Sequence, residues 1–257
     1  MLDSIRAYFK SISFMRKHGL TWLFWFPIVI TLLVFYSGME ITSFATDWVS
    51  GGVQSWIESS DWLGDGTGVL SSIVYWIIWL VLRIALYFLM AFVGGSLILL
   101  LMSPLLTYAS ALVASKMGAD VPPFSIDRFF HDLARAAWLA IKNGCIQFVM
   151  TITCFLIVFI PVVGFISPIL MFAIGAYFFG YNFMDYTLER KGLTVKESNQ
   201  FVWKKKFKTM GLGTPFALWM LIPFIGPVTS GFVALIATVA STVNLETDTN
   251  KPLRTGL

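Results

Sequence analysis

The sequence predicts an all-α integral membrane protein of one domain, residues 1–257, with two long transmembrane helices, two re-entrant (hemipenetrating) helical hairpins and cytoplasmic amphipathic helices. Three observations predict it. Hydrophobic residues make up 57% of the chain and charged residues only 12%, about half the charged share of a soluble domain. None of the 18 Lys/Arg residues lies in 37–68, a polar stretch that carries Glu40, Asp47, Glu58, Asp61 and Asp65. Short loops that are translocated lack Lys/Arg, whereas cytoplasmic loops accumulate them. Finally, two apolar blocks are interrupted by one pattern, Ile-Pro-x-x-Gly, at Ile160–Gly164 and at Ile222–Gly226.

The elements follow in chain order. Residues 1–18 hold Arg6, Lys10, Arg16 and Lys17 against Asp3, and Ile5, Phe9 and Ile12 share one helical face. This segment is expected to be a cytoplasmic amphipathic helix. Residues 19–36 form the first span, retained rather than cleaved because no small-residue cleavage site follows it. Segment 37–68 is the external loop, and its Trp48, Trp56 and Trp62 suit the headgroup level. The second span, 69–106, would reach about 57 Å as one helix, well past a hydrocarbon core of about 30 Å. It must tilt, break near Gly94-Gly95 or project beyond the membrane.

Residues 107–144 return to mixed charge and are expected to be cytoplasmic, with Ser125 capping an amphipathic helix. The two interrupted blocks, 145–184 and 211–243, begin and end in basic segments, so entry and exit lie on the same side. Their first arms, 145–160 and 211–222, fall below the ~20 residues a crossing needs. Hairpins with tips at Pro161–Gly164 and Pro223–Gly226 satisfy both facts, since Pro and Gly this close end one helix and open another. Between them, 185–210 carries seven Lys/Arg. Thr194 and Glu197 there form a capping box opening a helix that runs into Lys204–Lys208. The tail is 244–257. Cys145 and Cys154 fall on opposite helical faces and form neither a disulfide nor a metal pair.

No catalytic constellation is present. The two histidines, His18 and His131, belong to no HExxH, and GxSxG and P-loop signatures are absent. No enzyme, cofactor or metal site is therefore expected. The net charge of +4 is explained by anionic lipid headgroups rather than by nucleic acid. Arg83 is the one charge within a span and a candidate pore residue, since such charges are costly and tend to be functional. The alternative is that it snorkels or pairs with a hairpin-tip carbonyl or Asp185. The lysine run either anchors a helix to lipid or gathers anions at a pore mouth. The hairpin tips either offer helix ends to an ion or only turn the chain.

Several features together resemble the CysZ-type sulfate permease family, the bacterial branch of the etoposide-induced membrane protein superfamily. They are the basic N-terminal helix ending in Gly19-Leu20, Pro27 in span one, Ser103-Pro104-Leu105-Leu106, the two Ile-Pro-x-x-Gly breaks, and Asp185-Tyr186 leading into Lys196-Glu197. The resemblance covers roughly 10–243. It implies two long transmembrane helices, two hemipenetrating hairpins, a homo-oligomer in the bacterial inner membrane with both termini cytoplasmic, and sulfate uptake for cysteine synthesis. It also implies an anion site at the Gly-Leu turn, here the backbone of Gly19, Leu20 and Thr21, with Arg16 and Lys17 just before the turn as the cations available to it. Family members carry arginines directly after that turn, where this chain has Thr21-Trp22. A non-transporting scaffold that binds lipids or partner proteins is the alternative function.

Overall fold

The computed structural model describes residues 2–58, 69–119, 121, 126–160 and 163–249. Among these residues the chain is helical with no strand: α1 (Leu2–Lys17), α2 (Trp25–Glu58), α3 (Val69–Lys116), α4 (Ile126–Ile157), α5 (Ser167–Arg190), α6 (Val195–Lys204), α7 (Lys206–Met220), α8 (Ile225–Val228) and α9 (Ser230–Thr249). Among the described residues, five stretches are long and apolar enough to cross a membrane: Leu20–Gly52, Val93–Lys116, Ala134–Ile157, Gly164–Arg190 and Ser230–Thr247. The protein is a multi-pass membrane protein.

The helix boundaries depart from the expected segments. The first helix does not stop at residue 36 but runs on through Glu58, because one glycine, Gly38, is too little to end a helix without a proline beside it. The second does not break at Gly94-Gly95 and continues past 106 to Lys116. Those glycines are packing contacts: a Cβ on Gly95 would meet Pro227, and one on Gly94 would meet Val34. Pro104 lies inside α3 and leaves the Leu100 carbonyl without its usual amide. The Ser103 hydroxyl donates to that oxygen at 2.8 Å, which repairs the gap. Gly118, in the left-handed region at φ 84°, closes the helix.

α4 carries the third difference. No boundary falls at 144/145; one helix runs through it, and Asn143 is buried there, donating to Asn182 at 3.1 Å. The first arm of the first hairpin is therefore long enough to cross. The length argument for re-entrance holds only for α7, 15 residues long. The basic segment also divides. α5 continues to Arg190, Gly192 turns the chain at φ 78°, and α6 and α7 meet at Lys205, inside the lysine run. The Thr194–Glu197 capping box is formed as expected, and the Thr194 amide and hydroxyl hold the Glu197 carboxyl below its ordinary range.

The core sits where α1, α3, α5, α7 and α9 converge, around Met15, Met102, Leu106, Met184, Leu212, Phe216 and Leu235. α5 and α7 cross with backbones almost touching at Gly180 and Gly213. With Ala176 and Thr209 these make two small-xxx-small pairs, the pattern that lets membrane helices approach closely. Ser110, Thr187 and Thr242, all fully buried, join α3, α5 and α9 through hydroxyl contacts of 3.0–3.3 Å. Cys145 is exposed and Cys154 buried, both free.

Candidate functional site

The turn between α1 and α2 is built from four constraints. α1 is fixed to the core by Ala7, Tyr8, Ser11 and Met15; the Tyr8 hydroxyl donates to the Leu212 carbonyl at 2.5 Å, and burial raises its pKa well above the usual phenol range. The helix then ends on Gly19, whose φ of 68° and ψ of 26° are left-handed, a conformation glycine adopts without a Cβ penalty. Leu20 and Leu23, 3% and 0% exposed, plug the 3₁₀ turn Leu20–Phe24 into the core, and that turn continues into α2. His18 stacks on Phe14 with ring centroids 4.0 Å apart, and its Nδ1 lies 3.0 Å from the Phe14 carbonyl.

The outcome is a fixed backbone corner with exposed side chains around it. Arg16, Lys17 and Thr21 are exposed while Leu20 is buried, so the five expected site residues are contiguous but play different parts. Leu20 anchors, Gly19 turns, and Arg16, Lys17 and Thr21 offer polar groups. Amides at the start of a helix have no intrahelical partner and carry partial positive charge. The corner therefore combines two cations with oriented donors, which is chemistry suited to an oxyanion. Phe9 and Ile12 are exposed on α1, as are Trp22, Trp25 and Phe26 beside the corner, a composition suited to the headgroup level.

Arg83 is elsewhere. Trp22 touches Tyr108 with centroids 6.5 Å apart, which places the corner beside Tyr108; Arg83 lies 25 residues earlier on the same helix, about 37 Å away. Its guanidinium sits 4.7 Å from the Trp79 ring centroid and 5.9 Å from that of Tyr87, cation–π contacts within its own helix. It does not pair with Asp185, because Arg135 does.

That Arg135 cluster escaped the sequence reading, as did the buried acids it holds. Arg135 Nη2 is 3.2 Å from Asp185, its Nε is 3.1 Å from Glu189, and it also donates to the Leu193 carbonyl at 2.6 Å and to Ser198 at 3.2 Å. Arg190 pairs with Glu246, and Lys191 reaches the same carboxylate at 3.2 Å. Buried carboxylates therefore stand just past the ends of the two apolar blocks: Asp185 is 3% and Glu246 7% exposed. Each is ion-paired, as burial of a charge requires. The signal available in sequence was the isolation of Asp185 in an otherwise apolar run.

The hairpin tips share one construction. The Gly164 amide donates to the Ile160 carbonyl at 2.8 Å and the Gly226 amide to the Ile222 carbonyl at 2.9 Å. A Cβ on Gly164 would strike the Val158 backbone, and one on Gly226 would meet the Trp219 oxygen at 2.6 Å and Met220 Cα at 2.9 Å. Pro223 is exposed; Pro161 lies outside the described residues. Among the described residues no group of three or more His, Cys, Asp or Glu could hold a metal.

The family model described as Sulfate transporter CysZ/Etoposide-induced protein 2.4 matches residues 7–230 of the chain. No curated protein matches it.

Proposed function

The chain belongs to the family described as sulfate transporter CysZ/etoposide-induced protein 2.4, and from that membership we propose that it is a permease for a small inorganic oxyanion, with sulfate the first candidate. The observation that carries the proposal is the Gly19 corner, where exposed Arg16 and Lys17 end one helix and exposed Thr21 opens the next around a backbone turn seated in the core by buried Leu20 and Leu23. Arg83 is the cation of this path at the opposite end. The two lie about 37 Å apart along α3, which exceeds the hydrocarbon core of about 30 Å. The protein sits in a bacterial inner membrane with both termini cytoplasmic, works as a homo-oligomer and contacts membrane lipids through α1 and the Lys204–Lys208 run.

Passage is passive. Proton relays use acidic side chains at membrane depth, and here the buried Asp185 and Glu246 are tied to arginines. The hairpins are re-entrant, their tips within the bilayer.

The test is radiolabelled sulfate uptake into proteoliposomes, with and without a proton gradient, for the natural chain beside Arg16→Ala and Lys17→Ala. Uptake down the sulfate gradient alone, reduced at least tenfold when Arg16→Ala and Lys17→Ala are combined in one chain, is the expected outcome. A requirement for the proton gradient would keep transport and remove the passive mechanism. The exposure of Thr21 and Trp22 directly after the turn, in place of charged donors, favours the second reading, a non-transporting scaffold. Absence of both uptake and sulfate binding would select it.

A further inference from the structure

A cavity of about 500 Å³ lies between α2 and α3, closed at one end by the tip of the second hairpin. Along α2 it extends from Thr31 to Thr42, and along α3 from Ile84 to Ile98, which is about 16 Å and 21 Å at 1.5 Å per residue. It is long and narrow. Gly38 and Gly94 line it where larger side chains would interlock the two helices. A Cβ placed on Gly38 would meet only the Met90 sulfur, in ordinary van der Waals contact at 3.9 Å, so the glycine leaves room that a larger side chain would take.

The lining decides what can fill it. Its two threonines differ: the Thr31 hydroxyl donates to the Val228 carbonyl at 3.4 Å, whereas Thr42 is 2% exposed and its hydroxyl has no partner. Tyr87 supplies the remaining hydroxyl of the lining; a buried water needs two to four polar partners, and so few hydroxyls along an otherwise apolar wall do not hold a column of waters. Leaving the space empty forfeits dispersion contacts along its whole length. An occupant that is apolar for most of its length and polar at one end satisfies both facts.

We propose that this cavity holds one acyl chain of a membrane phospholipid, with the Thr42 hydroxyl donating to its ester carbonyl. Depth supports the assignment. Thr42 follows Trp25 by 17 residues, about 26 Å of helix, which approaches the full hydrocarbon thickness measured from the Gly19 corner. Ester carbonyls of the leaflet opposite the corner lie at that level. The chain then descends about 16 Å, one leaflet's worth, and ends on Phe224 and Val228. Phe224 holds φ 62° and ψ −51°, a conformation an L side chain adopts only under constraint. The acyl terminus packs against the cavity face of that residue, so the lipid braces the strained tip.

This site stands independently of what the protein carries. The experiment reconstitutes the full chain in vesicles of phosphatidylethanolamine and phosphatidylglycerol containing a phospholipid with a mid-chain diazirine, followed by irradiation and peptide mapping. Labelling of Val34, Met39 or Met90 is expected, several-fold above that of the outward-facing Leu32 and Leu33. Gly38→Leu, which fills the cavity, should lower the cavity labels several-fold and leave the outward ones unchanged. Labels confined to the outward positions in the natural chain, cavity labels unaffected by Gly38→Leu, or crosslinks joining two copies of the chain through this face would each overturn the assignment.

Discussion

Gly180 of α5 and Gly213 of α7 meet backbone to backbone. A Cβ on Gly180 would overlap the Thr209 carbonyl and crowd the Gly213 amide, and one on Gly213 would overlap the Ala176 carbonyl and crowd Gly180. The contact is reciprocal, and it joins the second helix of the first hairpin to the first helix of the second. Neighbouring atoms are backbone and cannot rotate away, so Gly180→Ala is expected to destabilise by at least the ~1–3 kcal/mol of ordinary overpacking. Thermal unfolding in detergent should show it. Gly144→Ala, with nothing within 4 Å of its Cβ, should leave the midpoint nearly unchanged, and an equal response at both positions would refute the close crossing.

A second link is electrostatic. Arg135 joins α4 to Asp185 and Glu189 of α5 and to the loop before α6. Removing one member of a buried pair costs about 3–5 kcal/mol, because the remaining charge is left uncompensated. Arg135→Leu should therefore unfold at markedly lower temperature. Asp185→Asn combined with Arg135→Leu should cost less than the two single changes added, a coupling that a double-mutant cycle reads directly. Strict additivity would mean the pair is not energetically linked.

How much of this was legible in the chain depends on the residue. The Ile-Pro-x-x-Gly breaks, the Thr194–Glu197 capping box and the Gly19 turn are local, set by residues adjacent in sequence, and all three were readable. Helix ends were not, because Gly94-Gly95 and Asn143-Gly144 look like breaks until their packing partners, Pro227 and Asn182, are known. The Arg135–Asp185 pair spans 50 residues, and nothing in the local pattern ties a mixed-charge helix to one acid in an apolar run. Pro104 illustrates the same limit: the neighbour that rescues it, Ser103, was in view, but its role needed geometry.

Orientation is tested with single cysteines. Ser198 is fully buried and bonded to Arg135, so the inner probe belongs at exposed Asn199 and the outer one at exposed Ser55. An impermeant maleimide applied to intact cells should label Ser55→Cys and leave Asn199→Cys unmodified until the membrane is opened. Labelling of both from outside would reverse or abolish the proposed topology, which rests on the Lys/Arg-free stretch 37–68.

For Arg83, replacement with Leu should leave the protein in the membrane, because apolar residues favour insertion. If the residue lines the anion path, sulfate flux should fall about tenfold or lose its preference for oxyanions over chloride. Unchanged flux in proteoliposomes would leave Arg83 as a cation stacked on Trp79 and Tyr87 with no part in transport.

The hairpin tips are expected to stay within the bilayer, although α5, at 24 residues, is long enough to cross. Two features argue for this. The tips present Phe159, Ile160, Phe165 and Ile166 in the first hairpin, and Leu221, Ile222, Phe224 and Ile225 in the second, all exposed; a turn emerging into water would be expected to carry polar side chains. Their backbones are also locally satisfied, with the Ile160, Gly164, Leu221, Ile222 and Gly226 amides each donating to a carbonyl three or four residues back. Irregular backbone at membrane depth is tolerated where it is buried in protein or lines a cavity, and the tip glycines Gly164 and Gly226 pack directly against backbone. Phe165→Cys and Phe224→Cys should therefore resist an impermeant maleimide from outside under conditions that label Ser55→Cys, yet react with a membrane-permeant one. External labelling of either tip cysteine would show that its hairpin crosses the membrane fully.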